Sequence, residues 1–388
     1  MRRTNTFKLN PTEEQEKKLF ELANNCSRLW NEVNYKRRQS FFSGEIDWNT
    51  DIEYNKYKRL VGSATAQQII RKNNEAWKSF FAMLKQKAKG NLPSHIRHIR
   101  PPGYWKNRKT SKRVLKILIR NDCYKLESDV LKLPFGLKIR WSGRNRWEGK
   151  QGRLEIIYDE LSESWYAFQP VEVKPLHQPI GNTRAYCDLG IRVLIMAEIS
   201  GEIIGYSGNP LLSDWWYWTK KIAEYQSELN ANGKRTFKKL RKLYRKRKRR
   251  FRHTVNTIVS RFVEVCYDKG VSEIVIGDLN GIRNNNSRGK KANSMVHNFW
   301  SHRYLTQRIK EKAEEYGIRV IEVDESYTSS VCPRCGSKNA VKRKRLFRCL
   351  DCGLEAHRDA VGCVNIRLAQ GGGVINGAVA SPTLLTEV

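Results

Sequence analysis

The apolar and polar positions near the start of the chain predict a short strand followed by two long helices. Residues Phe7–Asn10 have the texture of a strand. Thr12 and Gln15 then form a capping-box pattern, and apolar residues recur at helical spacing as far as Val33. A second amphipathic helix is predicted from about Ala64 to Lys87, with a basic polar face.

The middle of the chain changes to short alternating segments typical of β-structure. Prolines and a glycine near residues 101–103 mark the change. Turn residues separate the segments, and the pattern between about 104 and 174 predicts an antiparallel barrel or sandwich. The predicted strands are Val114–Ile119, Val130–Leu133, Leu137–Trp141, Leu154–Tyr158 and Trp165–Phe168.

From about residue 183 the pattern predicts a mixed sheet with helices on its faces. Three strands come first, followed by a long helical segment at roughly 213–268 and then by alternating strands and helices. The predicted elements after the long helix are the strand Glu273–Gly277, the helix Phe299–Tyr316, the strand Arg319–Val323 and a last helix that begins near Asp359. The Gly-rich end, residues 371–388, is expected to be disordered.

Charge indicates the class of partner. The 388 residues include 73 Lys and Arg against 39 Asp and Glu, a net charge of +34. Such an excess favours a polyanion, and nucleic acid is the leading candidate. No apolar run reaches the roughly 18–20 residues that span a bilayer, and no signal-peptide pattern opens the chain. An anionic lipid surface is rejected because no apolar face supports it, so we expect a cytoplasmic protein that associates with the nucleoid when it binds DNA.

The basic residues concentrate in the segment Lys234–Arg252, where thirteen of nineteen residues are Lys or Arg. Like charges at this density repel one another unless a polyanion lies against them. A solvated helix face is the alternative. The nucleic-acid contacts predicted on the two basic helices are Lys72, Lys238, Arg241, Arg245 and Arg249.

Four of the nine cysteines form two close pairs, Cys332 with Cys335 and Cys349 with Cys352. Each pair is followed by a turn-forming glycine, and the arrangement predicts a zinc ribbon in which four thiolates hold one structural Zn²⁺. Four thiolates leave no open coordination position, so this zinc is not expected to catalyse. The basic run Lys342–Arg345 between the pairs is a further candidate for contact with nucleic acid.

Acidic side chains follow the ends of the predicted C-terminal strands and open the last helix. Clustered carboxylates repel one another unless a cation lies between them, and two Mg²⁺ ions would also bind a phosphodiester. The candidate ligands are Asp188, Asp278, Asp324, Glu325 and Asp359.

Taken together, these motifs resemble the TnpB family of transposon-encoded RNA-guided DNA endonucleases, which are related to type V CRISPR effectors and to the Fanzor proteins. The residues that carry the resemblance are Phe7–Gln15, Asp188–Gly190, Ile276–Asn280, Tyr327–Ser329, the paired cysteines, His357–Asp359 and Asn365–Ile366. The resemblance covers nearly the whole chain.

The resemblance implies a multidomain α/β protein. Its parts would be a β-barrel wedge domain (1–10 and 104–182), a helical recognition domain (11–103), and an RNase H-like RuvC nuclease domain (183–330 and 354–370) with an inserted zinc ribbon (331–353). It also implies a guide RNA from the transposon end, a short motif beside the double-stranded DNA target, and Mg²⁺-dependent cleavage of both strands. We expect a monomer.

One departure from the family pattern concerns catalysis. Gly277 stands where the family usually has a catalytic Glu, and glycine cannot bind Mg²⁺. In some lineages of the family a replacement Glu precedes the Tyr-Thr-Ser motif, and that residue is here Glu325. We therefore expect Asp188, Glu325 and Asp359 to hold two Mg²⁺ ions, with Asp278 as the second choice for the replaced ligand and Glu322 and Asp324 ranking lower.

Two other functions are compatible with this sequence. A nuclease-dead protein would bind guide RNA and target DNA yet leave the DNA intact, acting as a repressor. A guide-free transposase or resolvase-like nuclease would act on DNA without RNA. Because both outer aspartates, Asp188 and Asp359, are retained, we favour the active nuclease.

Overall fold

The computed structural model describes residues 1–93, 96, 98–107, 110–233, 237–278, 289–324, 330–372 and 382–385, and the backbone alone of residues 290, 291 and 324. The chain divides into two compact units, Met1–Val173 and Lys174–Val388. None of the helices in these ranges has an apolar stretch that would cross a bilayer.

The first unit contains three helices: α1 (Glu13–Phe42), α2 (Asp51–Val61) and α3 (Ser63–Ala88). The predicted capping box at the start of α1 is present, with Thr12 accepting from the backbone of Gln15 and the Gln15 side chain accepting from the backbone of Thr12. Helix α2 was not predicted. It is short, and the single residue Gly62 (φ +84°) separates it from α3. The apolar positions of α2 therefore cannot be distinguished in the sequence from those of the neighbouring helix.

The strands of this unit form one antiparallel sheet in the order β2-β7-β8-β1-β5-β4-β3, with β6 paired to β8. Hydrogen bonds among the described strands do not join the outer strands β2 and β3, so closure into a barrel stays a prediction. The strands are β1 (Arg2–Asn10), β2 (Lys116–Ile119), β3 (Lys125–Leu126), β4 (Val130–Lys132), β5 (Lys138–Gly143), β6 (Lys150–Gln151), β7 (Leu154–Asp159) and β8 (Ser164–Glu172).

Helices and sheet of the first unit share a single apolar core. Phe7 of β1, Leu29 of α1 and Ile156 of β7 are fully buried members of that core. The predicted helical and β-barrel domains are therefore packed together here, and the boundary between them stays a prediction.

The second unit is built on a mixed sheet, as the alternation of strands and helices predicts. Its strand order is β13-β12-β9-β10-β11, with β9, β12 and β13 parallel and β10 antiparallel to both of its neighbours. The strands are β9 (Thr183–Asp188), β10 (Val193–Ile199), β11 (Glu202–Ser207), β12 (Val271–Asp278) and β13 (Arg319–Asp324).

The long helical segment predicted at roughly 213–268 is helical and consists of two helices. These are α4 (Asn209–Ala231) and α5 (Lys238–Asp268), and the chain leaves α4 at Gly233, which has φ +67°. Residues 234–236, part of the predicted basic segment, lie outside the described ranges. Downstream come α6 (Gly289–Ser294), a π-helical turn (Met295–Phe299), α7 (His302–Glu315) and α8 (Arg358–Ala369).

Between β13 and α8 lies a small antiparallel sheet of β14 (Ala340–Arg343), β15 (Leu346–Cys349) and β16 (Glu355–His357). Its β14–β15 turn contains Lys344 with φ +55°. Phe347 of β15 is fully buried and shares a core with Val361 and Val364 of α8. The zinc-ribbon segment therefore packs against α8, the helix that contains Asp359.

Part of the predicted disordered tail is ordered, which corrects the prediction for residues 371–388. Strand β17 (Thr383–Leu385) pairs in parallel with β11 at the edge of the mixed sheet. The unpaired backbone of an edge strand is a template for another strand. Gly205 of β11 leaves room there, since a Cβ at that position would lie 2.5 Å from Leu384 Cδ2.

Candidate active site

The end of β9 presents Asp188 on the face of the mixed sheet that α8 covers. Tyr186 of β9 and Val275 of β12 pack with Ile366 of α8. Cys187 instead belongs to the core on the opposite face, with α5 and α7. Because side chains alternate along a strand, Asp188 lies on the same face as Tyr186 and therefore faces α8.

Asp359 lies in the first turn of α8, the helix that covers this face of the sheet. Gly362, three residues further on, lies on the same side of that helix. A Cβ at Gly362 would lie 2.6 Å from Asp188 Oδ2, so the backbone of α8 closely approaches the Asp188 carboxylate. Asp188 therefore lies against the helix whose first turn contains Asp359, and a shared site for these two aspartates, separate in sequence, stays a prediction.

The register of the parallel strands places Gly277 beside this pair. Ile276 of β12 lies beside Cys187 of β9, and Gly277 lies beside Val323 of β13. Continuing the first register by one residue puts Gly277 level with Asp188, on the face that α8 covers. A side chain at position 277 would project toward the two aspartates, and glycine supplies none.

The other acidic residues at the strand ends differ in the face they occupy. Asp278 follows Gly277, so its side chain projects to the opposite face. Glu322 of β13 also points to that face, where it pairs with Lys310 of α7. Outside the description lie the side chain of Asp324, the whole of Glu325, Asn280 and the motif Tyr327–Ser329.

Arg345, in the β14–β15 turn of the ribbon, contacts Asp359 directly. Its Nη1 donates to both carboxylate oxygens, at 2.9 and 2.8 Å. Its carbonyl also accepts from the backbone N–H of Arg358 at 2.7 Å. The sequence proposed Arg345 as a contact to nucleic acid, whereas in this structure it pairs with the carboxylate of Asp359. The two residues are fourteen positions apart, and no sequence pattern indicates that they pair.

His357 precedes α8 and is half-buried beside the site. Burial lowers its pKa, an effect that the neighbouring Asp359 opposes. Its Nδ1 is buried without a hydrogen-bond partner among the described residues. This orphaned polar atom beside the Asp359 carboxylate is consistent with a polar ligand or ion binding there.

The four paired cysteines meet at one point in the ribbon. Their Sγ atoms all lie within 4.8 Å of one another, and the Cys332–Cys352 and Cys335–Cys349 separations are both 3.6 Å. Zn–S bonds of about 2.3 Å in a tetrahedron put sulfurs about 3.8 Å apart, so the site fits one Zn²⁺. Backbone hydrogen bonds, that of Cys352 first, lower the pKa of the Cys349 thiol to about 7, which favours the thiolate that binds metal.

Of the predicted nucleic-acid contacts, Lys72 is held by an ion pair in the first unit. Its Nζ lies 2.9 Å from Glu155 Oε1, and Lys116 binds the other oxygen of the same carboxylate at 2.9 Å. Lys72 and Glu155 line an open cleft of about 610 Å³ between α3 and the antiparallel sheet, together with Arg120 and Arg153. Lys72 is thus only partly available to a ligand.

The remaining predicted contacts lie on α5. Lys238, Arg241 and Arg249 are exposed, and Arg245 is half-buried. No bound nucleic acid tests these four residues, and their role stays a prediction.

The close approach of α8 to Asp188 yields a prediction. Gly362→Ala should reduce any metal-dependent cleavage by about ten- to a hundredfold, since the new methyl group displaces the Asp188 carboxylate by a fraction of an ångström to an ångström. Initial rates of DNA cleavage measure this effect. Gly103→Ala is the matched control, because a Cβ there meets nothing within 4 Å; equal rates in both variants would contradict the packing described.

Comparison with known proteins gives two family matches. Residues 168–283 match a family described as a probable transposase, and residues 302–366 match the Cas12f1-like TNB domain. The TnpB-like protein ORF457 of Acidianus two-tailed virus is 39% identical, over 97% of this chain and 88% of the viral protein. The chain belongs to the TnpB family. This confirms the resemblance inferred from the motifs.

Other relatives of this TnpB-family chain are more distant. The CRISPR-associated endodeoxyribonuclease Cas12f1 of Sulfoacidibacillus thermotolerans is 28% identical, and the match spans 55% of this chain and about half (52%) of that relative. Among solved structures, a Cas12f1–sgRNA–target DNA complex aligns with a TM-score of 0.61 at 14% identity, covering 94% of this chain and 98% of the other. The mini-RNA-guided endonuclease CRISPR-Cas_phi3 aligns with a TM-score of 0.53 at 12% identity, covering 98% and 94%. The chain therefore has a multidomain α/β fold like that of these Cas12f1 and CRISPR-Cas_phi3 structures.

Proposed function

We propose that this protein is an RNA-guided DNA endonuclease that cleaves double-stranded DNA beside a short flanking motif by hydrolysing phosphodiester bonds. The observation that carries the proposal is the close approach of α8, whose first turn contains Asp359, to the Asp188 carboxylate at Gly362. The family membership and the net charge of +34 support the nucleic-acid substrate.

Carboxylate oxygens are the ligands that Mg²⁺ prefers, and the paired aspartates fit that chemistry. Asp188, Asp359 and Glu325 would hold two Mg²⁺ ions, which when bound stabilise the charge on the phosphate and activate water for an attack that leaves a 3′-hydroxyl. Glu325 follows β13, the strand that runs in parallel beside β12, whereas alternation along β12 directs Asp278 away from Asp188. For this reason we favour Glu325 over Asp278 as the replacement for the missing carboxylate at position 277.

The rest of the site positions these carboxylates. Arg345 binds Asp359 at 2.8 Å and offsets its charge when no cation is present. The zinc ribbon holds Arg345, and the core shared by Phe347 and α8 fixes the ribbon. We infer that metal binding loosens the Arg345–Asp359 contact, because the carboxylate then pairs with Mg²⁺ instead.

Sequence choice would come from base pairing rather than from protein side chains. The guide RNA, supplied by the transposon end, would pair with one DNA strand, while the protein recognises backbone shape and a short flanking motif. A structural neighbour supports these partners, since the Cas12f1 structure is a complex with sgRNA and target DNA.

A second candidate function is an RNA-guided repressor that binds DNA without cutting it. One observation favours it: the residue level with Asp188 on β12 is Gly277, which has no side chain to bind a metal. If Glu325 does not supply the missing ligand, the site retains two carboxylates only, which would bind Mg²⁺ poorly.

A cleavage assay separates these functions. The complex is purified from cells that express the gene with its native downstream flank, its RNA is sequenced, and a matching target beside randomised flanks is offered with Mg²⁺. We expect cuts beside one flanking motif that are lost with EDTA or after RNase treatment. Bound but intact DNA would establish the repressor, and cleavage that survives RNase would indicate a guide-free nuclease.

A further inference from the structure

The two edges of the mixed sheet differ in how their outer strands are protected. The backbone of an edge strand is a template for another strand, and proteins protect it with charged side chains or with a covering segment. At one edge, β13 has charges at three of its six positions, Arg319, Glu322 and Asp324. At the other, only Glu202 is charged among the six residues of β11. The edge at β11 therefore requires a covering segment.

Strand β17 covers this edge over half of its length. Its three residues run parallel to β11 and pair with Ile204, Gly205 and Tyr206. On that side of β11, no described strand pairs with Glu202–Ile203 or with Ser207. A longer segment in the place of β17 would therefore find further backbone groups with which to pair.

The two leucines of β17 lie on opposite faces of the sheet edge. A Cβ at Gly205 would lie 2.5 Å from Leu384 Cδ2 and 3.1 Å from Met196 Sδ, so the absence of a side chain at Gly205 leaves the space that Leu384 fills. Met196 belongs to the core shared with α8. Leu385 packs against the core on the other face, which contains Tyr206. The β11 edge thus fits two consecutive leucine-sized side chains of an extended segment.

The attachment of β17 to the sheet is weak. Thr383 is exposed, Leu384 is 46% exposed and Leu385 is half-buried. Three residues form few ladder hydrogen bonds, and ordering them costs backbone entropy. The segment pairs because it belongs to the same chain, since a connection within one chain corresponds to an effective concentration of about a millimolar. A competing segment that pairs with more of β11 would therefore displace it.

We propose that the β11 edge is a docking site for an extended apolar segment of a protein partner, and that β17 occupies this site until the partner displaces it. The partner segment would run parallel to β11 and place two leucine-sized side chains where Leu384 and Leu385 lie. In such strand addition, main-chain hydrogen bonds supply affinity and side-chain pockets supply specificity. The site contains none of the residues proposed for DNA cleavage.

The test opens the site in the full-length protein and offers the chain's own sequence as a separate peptide. The opened variant is Leu384→Asp with Leu385→Asp, because aspartate is unfavourable in strands and costly to bury. Leu60→Asp with Leu176→Asp is the matched control, since both of these leucines are exposed elsewhere. The probe is the synthetic peptide Ser381–Val388, titrated against each dye-labelled protein beside a peptide in which both leucines are aspartate.

We expect the opened variant to bind the leucine peptide about tenfold more tightly than the wild type or the control, because β17 no longer competes for the site. The peptide should also raise the unfolding temperature of the opened variant. Adding Gly205→Ala to that variant should weaken peptide binding by about fivefold or more, since the new methyl group occupies the position of the first leucine. The wild type should still bind the peptide weakly, which tests the site in a protein whose folding is unaltered.

Three results would overturn the proposal. The first is equal binding of the leucine peptide by the opened variant and the wild type, or no binding by either. The second is equal binding of the leucine and aspartate peptides by the opened variant. The third is an opened variant that forms dimers in sedimentation experiments which the peptide does not dissociate, because the β11 edge would then pair with a second copy of the chain.

Discussion

Replacing Glu325 with alanine is expected to abolish DNA cleavage, by about a thousandfold or more, while guide RNA and target DNA stay bound. The loss of a carboxylate ligand removes several kcal/mol of metal-supplied stabilisation of the transition state, and about 1.4 kcal/mol corresponds to tenfold in rate. Single-turnover cleavage at saturating Mg²⁺ measures the effect, and a mobility-shift assay measures binding.

Asp278→Ala is the matched control for that experiment. Asp278 lies next to Gly277, yet alternation along β12 directs it to the face opposite Asp188. Its replacement should change the cleavage rate by less than about tenfold. If Asp278→Ala abolishes cleavage and Glu325→Ala does not, the assignment of the third ligand is wrong.

The mixed sheet could be predicted from sequence because its strands are short apolar runs at regular intervals. β9 and β12 are largely buried parallel strands, β13 is a partly exposed parallel strand, and each of the three ends in Asp, a residue that favours turns. The pattern proposed Asp188 at a strand end and Asp359 at the start of the last helix, and the family resemblance assigned both to one site. The face that each side chain occupies required the register between β9 and β12, and register is a tertiary property.

Other features of the fold and of the candidate site could not be predicted from the neighbouring residues in the sequence. Helix α2 and the break between α4 and α5 depend on single glycines, Gly62 and Gly233, within long helical patterns. The Arg345–Asp359 contact joins two segments that meet only because the ribbon packs on α8. Gly362 is visible in the sequence three residues after Asp359, but its close approach to Asp188 appears only when β9 and α8 are packed.

Removing the zinc should have the second large effect, because the ribbon orders the helix that carries Asp359. A structural zinc site of this kind contributes roughly 10–16 kcal/mol to the folding of small zinc domains. Without the metal, the ribbon is no longer held in its folded conformation, so the packing of Phe347 against Val361 and Val364 is lost. Arg345 then no longer positions Asp359. Cys349→Ser with Cys352→Ser should therefore lose bound zinc, lower the unfolding temperature and abolish cleavage.

Cys123→Ser is the control, since that thiol is half-buried in the first unit and lies apart from the four ligands in sequence. Zinc content by atomic absorption, thermal unfolding and cleavage rate should all stay at the wild-type value in this variant. The first unit has its own core, so in the zinc-free variant circular dichroism should retain a separate unfolding transition from residues 1–173. A double Cys→Ser variant that cleaves DNA at the wild-type rate would show that the ribbon does not support Asp359, and the role assigned to Arg345 would then be wrong as well.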